Sequence, residues 1–82
     1  MTISAQVSIY PLRQEHLAPA VKSVQIAFER HGLAPQVGPM STTVTGETRA
    51  IFDALAEAFS EAAASGQVVM TVTVSNACPL AG

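Results

Sequence analysis

The segment from Gln67 to Ser75 is dense in β-branched residues and carries no charge, which makes it the strongest strand signal in the chain. It alternates, with Val68, Met70, Val72 and Val74 on one face and Val69, Thr71, Thr73 and Ser75 on the other. A strand is not stable alone in water, so the rest of the chain has to give it neighbours and an apolar layer over one face. The first residues supply a neighbour. From Thr2 to Tyr10 the same period of two sets Ile3, Ala5, Val7 and Ile9 against Ser4, Gln6, Ser8 and Tyr10, and Pro11 ends the segment.

Two helical periods supply the layer. Between Glu15 and His31, Leu17, Val21, Val24 and Phe28 form one stripe, with Ile26 pointing away from it. Gly32 is placed to terminate this helix, and Pro19 is tolerable because it falls in the first turn. A second helix is expected from about Glu47 to Ala64, with Ile51, Phe52, Leu55, Ala58, Phe59 and Ala62 as its core stripe. Thr45 or Gly46 is its expected cap and Ser65-Gly66 its stop. Asp53, Glu57 and Glu61 recur every four residues, with Arg49 one turn earlier, and read as a solvated face. Between the helices, Leu33 to Pro39 and Met40 to Thr45 read as short strands turning at Gly38-Pro39.

The order is βαββαβ. Right-handed crossovers place both helices on one side of a four-stranded antiparallel sheet, so the expected class is α+β with a ferredoxin-like arrangement forming one domain over residues 1–82. The other side of the sheet is open. It should carry Ser4, Gln6, Ser8 and Tyr10, then Ser41, Thr43 and Thr45, then Val69, Thr71, Thr73 and Ser75. The last strand lies at an edge with no charge to discourage pairing, and a chain of 82 residues buries a marginal core. A homodimer or homotetramer through the sheet face or the final strand is the expected remedy.

Several function classes are disfavoured by composition. Four lysines and arginines against six acids, for a net charge of −2, give no footprint for nucleic acid. No long apolar stretch suggests membrane insertion, and the expected location is the cytoplasm, where the lone Cys78 would stay reduced. Cys78, His16 and His31 lack metal-ligand spacing, and neither a glycine-rich phosphate loop nor a catalytic pair of carboxylates is present. No cofactor or catalytic residue is expected.

An uncharged face of hydroxyls and a carboxamide donates and accepts hydrogen bonds, which suits a neutral heteroaromatic ligand or a second identical sheet. Tyr10, beside the loop Pro11-Leu12-Arg13, offers a ring that could hold a cation or simply pack at a strand end. Glu47 starts the second helix, where the dipole favours a carboxylate without any function; alternatively Glu47 or Asp53 could pair with an aminopyrimidine edge.

At Ser8-Ile9-Tyr10-Pro11-Leu12, Ser41-Thr42-Thr43-Val44-Thr45-Gly46, Phe52-Asp53 and Cys78-Pro79 the chain resembles the YkoF-like family of thiamine and hydroxymethylpyrimidine binding proteins, and more distantly the single-domain thiamine-binding family of the same fold. The resemblance implies a non-enzymatic binder of thiamine or its hydroxymethylpyrimidine moiety, acting in precursor salvage or transport. It also implies a second sheet, because YkoF-like proteins carry two such domains in tandem; here another copy would supply it. Ala77 stands where the family often has glycine. On this implication Gln6, Ser8 and Thr43 serve the polar edge of the ligand, Tyr10 stacks and Glu47 supplies charge. The competing readings are a structural or regulatory ferredoxin-like oligomer that uses the open face only for assembly, and an acylphosphatase-like hydrolase built on Arg13 and Asn76.

Overall fold

The alternation near the start becomes strand β1 (Thr2–Pro11), and the β-branched run becomes β4 (Val68–Ser75). Helix α1 (Ala18–Arg30) follows β1; then come β2 (Gln36–Val37), β3 (Thr42–Glu47) and helix α2 (Thr48–Ala63). The computed structural model describes residues 1–13 and 18–77. Leu17, the Glu15 helix start, His16 and the Cys78-Pro79 motif therefore lie outside the described residues.

The strands form one antiparallel sheet in the order β2-β3-β1-β4, the ferredoxin-like arrangement. β1 is central because its inward positions Ile3, Ala5, Val7 and Ile9 are all buried, while its partners need cover on fewer residues. The largest fully buried side chains are Phe28, Ile51 and Val24, so the core lies where both helices meet the sheet. Val68, Met70 and Val72 of the edge strand pack against it only in part.

Helix α1 ends where a residue with positive φ is needed. Gly32 has φ +75°, and the amides of Gly32 and Leu33 donate to the carbonyls of Glu29 (3.1 Å) and Phe28 (3.0 Å). These paired bonds satisfy the last helical carbonyls and turn Leu33 back onto the core.

Three expectations need correction. Of the strands between the helices, the first is cut down to Gln36–Val37, and the second keeps its length of 6 residues but is shifted along the chain to Thr42–Glu47; Pro35 and Pro39 lack the amide that would extend the ladder. The cap of α2 is neither Thr45 nor Gly46, both of which belong to β3. It is Glu47, whose side chain makes no cap bond; instead the Thr48 amide and hydroxyl donate to the Met1 carbonyl at 3.0 and 2.9 Å. At Gly46 an added Cβ would meet the tip of the Leu33 side chain, which would have to turn aside to make room.

The third correction concerns the stripes of α2. Ile51, Ala54, Leu55, Ala58 and Ala62 are buried, whereas Phe52 is 50% and Phe59 43% exposed. The two phenylalanines are seven residues apart and sit about a quarter turn from the buried row, whose alanines let the helix lie close to the sheet. Glu57 and Glu61 stay partly in water, as a solvated face would, but they also have a partner. They point at α1, where Arg30 Nη1 meets Glu61 Oε1 at 2.6 Å and Glu57 Oε2 at 3.7 Å, and His31 Nε2 lies 3.8 Å from Glu57 Oε2. The hydrogen bond that Arg30 donates to Glu61, then the charges of Glu61 and Glu57, hold the Arg30 guanidinium above even its ordinary high pKa. No helix among the described residues is long and apolar enough to cross a membrane.

Candidate functional site

The register puts the expected polar residues on one surface. Ser4 lies opposite Thr45 and Ser75, Gln6 opposite Thr43 and Thr73, Ser8 opposite Thr71, and Tyr10 opposite Val69. All face away from the helices, because their neighbours in β1 fill the core. Many of these groups bond to each other: Ser4 Oγ and Thr45 Oγ1 are 3.1 Å apart, and Gln6 Nε2 donates to Ser41 Oγ at 3.1 Å.

The two central strands differ in length, and that difference makes a notch. β3 starts at Thr42, opposite Val7, so β1 runs on through Pro11 with β4 beside it on one edge and only the loop 38–41 on the other. That loop closes on itself when the Gly38 amide donates to the Ser41 carbonyl at 2.8 Å. The approach is tight, since a Cβ on Gly38 would come 3.1 Å from the same oxygen. Ser8 Oγ donates to the Met40 carbonyl at 3.2 Å and ties the loop to β1.

A cavity of about 180 Å³ occupies the notch. Its inner wall is Val7, Ile9 and Val24 from the core with Val21 of α1 and Thr42, which is buried opposite Val7, and its rim is Ser8, Tyr10 and the turn Gly38 to Ser41. No lining residue is charged. The inside is apolar apart from the buried Thr42, while Ser8 and Ser41 provide hydroxyls on the rim and the half-exposed Tyr10 and the largely exposed Met40 stand at the mouth. Such a site can take a small neutral ring and bond its edge.

Of the five residues expected to bind, four come together. Ser8 and Tyr10 line the cavity, Gln6 reaches it through Ser41, and Thr43 stands beside Gln6 on the neighbouring strand. Glu47 does not join them. It pairs with Thr2 at the far end of β1, eight residues or ~27 Å from Tyr10. There its carboxylate lies 3.4 Å from the Met1 amino group and accepts from Thr2 Oγ1 at 3.1 Å. Arg13 and Asn76 are likewise separated, Arg13 following the Pro11–Val68 end of the sheet and Asn76 the Ser4–Ser75 end. A hydrolytic pair of these two residues is not formed. Among the described residues no three His, Cys, Asp or Glu side chains gather as metal ligands.

The apolar wall and Met40 were not expected in the site. Val7, Ile9 and Val24 are ordinary core positions by period, and the cavity beside them depends on where β3 stops pairing, which is a property of register rather than of any local pattern.

Comparison with known proteins bears on this geometry. A model of the YKOF-related family matches residues 2–81. No curated protein matches. Among solved structures, a hypothetical protein from Methanocaldococcus jannascii superposes with a TM-score of 0.85 at 25% identity, covering 94% of this chain and 81% of its own. A protein from Thermotoga maritima, provisionally assigned to thiamine biosynthesis or salvage, gives 0.77 at 20% identity, covering 90% and 82%. A protein from Streptococcus pneumoniae gives 0.82 at 22% identity, covering 99% and 91%.

Proposed function

The chain belongs to the YKOF-related family, and from that premise we propose that it binds thiamine or its hydroxymethylpyrimidine moiety in the notch beside β1, as a carrier or salvage protein that catalyses no reaction. The thiamine assignment of the Thermotoga maritima neighbour supports the ligand class. The observation that carries the proposal is the cavity itself, an uncharged apolar slot with hydroxyls on one rim and an aromatic ring at its mouth.

Size argues for which part of the ligand enters. Cavities of roughly 150 Å³ accept a benzene-sized ring, so about 180 Å³ suits one substituted six-membered ring and not the whole of thiamine. The aminopyrimidine would sit against Val7, Ile9 and Val24, with its polar edge toward Ser8 and Ser41. Gln6 and Thr43 hold Ser41 and the adjoining strand in place for that edge. The thiazolium, which is permanently cationic, would remain at the mouth on the face of Tyr10. Glu47 takes no part in this arrangement, being held at the opposite end of the sheet.

Calorimetry tests the reading. Thiamine and hydroxymethylpyrimidine are each expected to bind with micromolar or tighter Kd. Tyr10→Ala should weaken thiamine far more than hydroxymethylpyrimidine, because it removes the contact to the cationic ring, while Gln6→Ala should weaken both moderately. Absence of heat with either compound at millimolar concentration would end the proposal.

A further inference from the structure

We propose that Thr42 sets the specificity of the cavity, its hydroxyl donating from the inner wall to a ring nitrogen and so selecting a nitrogen heteroaromatic over a carbocyclic ring of the same size. This rests on the reading that a six-membered ring enters the notch, and it adds what that ring must carry at its inner end.

The helix side of the sheet is otherwise apolar. β1 sends Ile3, Ala5, Val7 and Ile9 toward the helices, and β3 sends Val44. Thr42 belongs to the same face, because it stands opposite Val7 and two residues before Val44. Among the described residues the buried polar side chains are Ser4 and Thr42, the latter 4% exposed. Ser4 looks outward and bonds to Thr45. Thr42 is therefore the buried hydroxyl on the helix side, at a position where valine would have the same shape and no polar atom to satisfy.

That hydroxyl has no hydrogen-bond partner among the described residues. The side-chain oxygen there that is both unpaired and sealed from solvent is Glu57 Oε2, in the seam between the helices. The Thr42 hydroxyl is unpaired but not sealed, so it opens on space, and the space that Thr42 lines is the cavity.

The other hydroxyls of the site are placed differently. Ser8 donates to the Met40 carbonyl, and Ser41 accepts from Gln6. Both stand on the rim, where water competes for them. Thr42 lies among apolar side chains, where a hydrogen bond is stronger. It is also held still, paired with Val7 on one side and Val37 on the other and stiff at its branched Cβ.

The effect on binding runs both ways. A ring that reaches the inner wall displaces the water that would otherwise serve this hydroxyl. A ring nitrogen replaces that water, whereas a ring carbon leaves the hydroxyl buried and unpaired. The aminopyrimidine meets the demand: when the carbon bearing its methylene arm points to the mouth, both ring nitrogens lie toward the inner end.

Calorimetry with hydroxymethylpyrimidine and with its carbocyclic counterpart, an aminobenzyl alcohol bearing the same substituents, tests this. The parent chain should prefer the pyrimidine by roughly tenfold to a hundredfold. Thr42→Val keeps the shape and removes the hydroxyl, so the pyrimidine should weaken by about that factor while the benzyl compound binds as well as before or better. Thr42→Ser, which keeps the hydroxyl, should keep the preference, and Thr42→Ala takes the place of the valine variant if that one does not fold. A merely structural role would weaken both ligands together. No preference in the parent, equal losses in Thr42→Val, or a preference that survives Thr42→Val would each overturn the proposal. Pyrimidine and benzene, followed through the amide NMR shifts of Val7, Ile9 and Val24, separate it from the ligand assignment. A parent that takes pyrimidine over benzene but neither thiamine nor hydroxymethylpyrimidine ends that assignment and supports the role of Thr42, and a parent that binds none of the rings ends both.

Discussion

Among the described residues, two surfaces of this molecule are left uncovered, and they solve the problem in opposite ways. The open sheet face is polar, and its side chains partner each other across strands, as Ser4 does with Thr45 and Gln6 with Ser41. The flank of α2 and β4 carries Phe52, Phe59 and Val74, exposed beside an unpaired strand edge. A surface whose polar groups are paired can stay in water at little cost, whereas an apolar row beside unpaired amides gains free energy from being covered. The first keeps its polar groups satisfied in water, whereas the second leaves apolar surface in contact with it.

The comparison is sharpest between neighbouring residues. Ile51 is fully buried and Phe52 half exposed, one position apart on α2. Ile51→Ala should destabilise by ~2–5 kcal/mol, because it opens a cavity at a fully buried position that the packed core does not refill. Phe52→Ala should cost well under that, because much of this side chain is already in water. Urea unfolding of the two variants measures both; equal losses would mean that Phe52 is core after all.

The same contrast explains what could be read in the chain and what could not. Alternation is unforgiving, because a slip of one residue exchanges the two faces of a strand, so Ser4, Gln6, Ser8 and Tyr10 could be assigned to the open side from their spacing alone. A helical stripe is more permissive. Phe52 and Phe59 fall only a quarter turn from Ile51 and Leu55, and hydrophobicity favours counting them in; it takes the packing of Ala54, Ala58 and Ala62 against the sheet to turn them out. The notch was hidden for another reason: β1 outlasts β3, and prolines at 35 and 39 cut the pairing short, which shows only once register is known. Glu47 looked like a site acid through its place at a helix start, but that start lies at the wrong end of β1.

On the polar face, the pairing itself can be broken at Ser4, which is 5% exposed and faces Thr45 at 3.1 Å. Ser4→Ala should destabilise by about 1 kcal/mol, the ordinary net worth of a hydrogen bond, since Thr45 is exposed and recovers water as a partner. Thermal denaturation would show it as a small shift. A loss several times larger would mean that Thr45 does not recover water, and the contrast between the two surfaces would fail.

The smallest effect belongs to the seam that keeps α2 turned with its phenylalanines outward. Arg30 reaches from α1 to Glu61 and Glu57, but it is half exposed, so water and salt screen most of the attraction. Arg30→Gln should lower the urea midpoint slightly, with the difference shrinking as salt is added. Its pH dependence has a definite sign. The folded-state pKa of Arg30 is raised by its carboxylate partners, so what it contributes is present in full below the unfolded value and is lost only as pH rises toward the folded one, far above the working range. The difference between parent and variant should therefore stay level from neutral pH to about pH 10. A difference that changed across that interval would place the contribution on another titrating group of the seam and not on the Arg30 guanidinium.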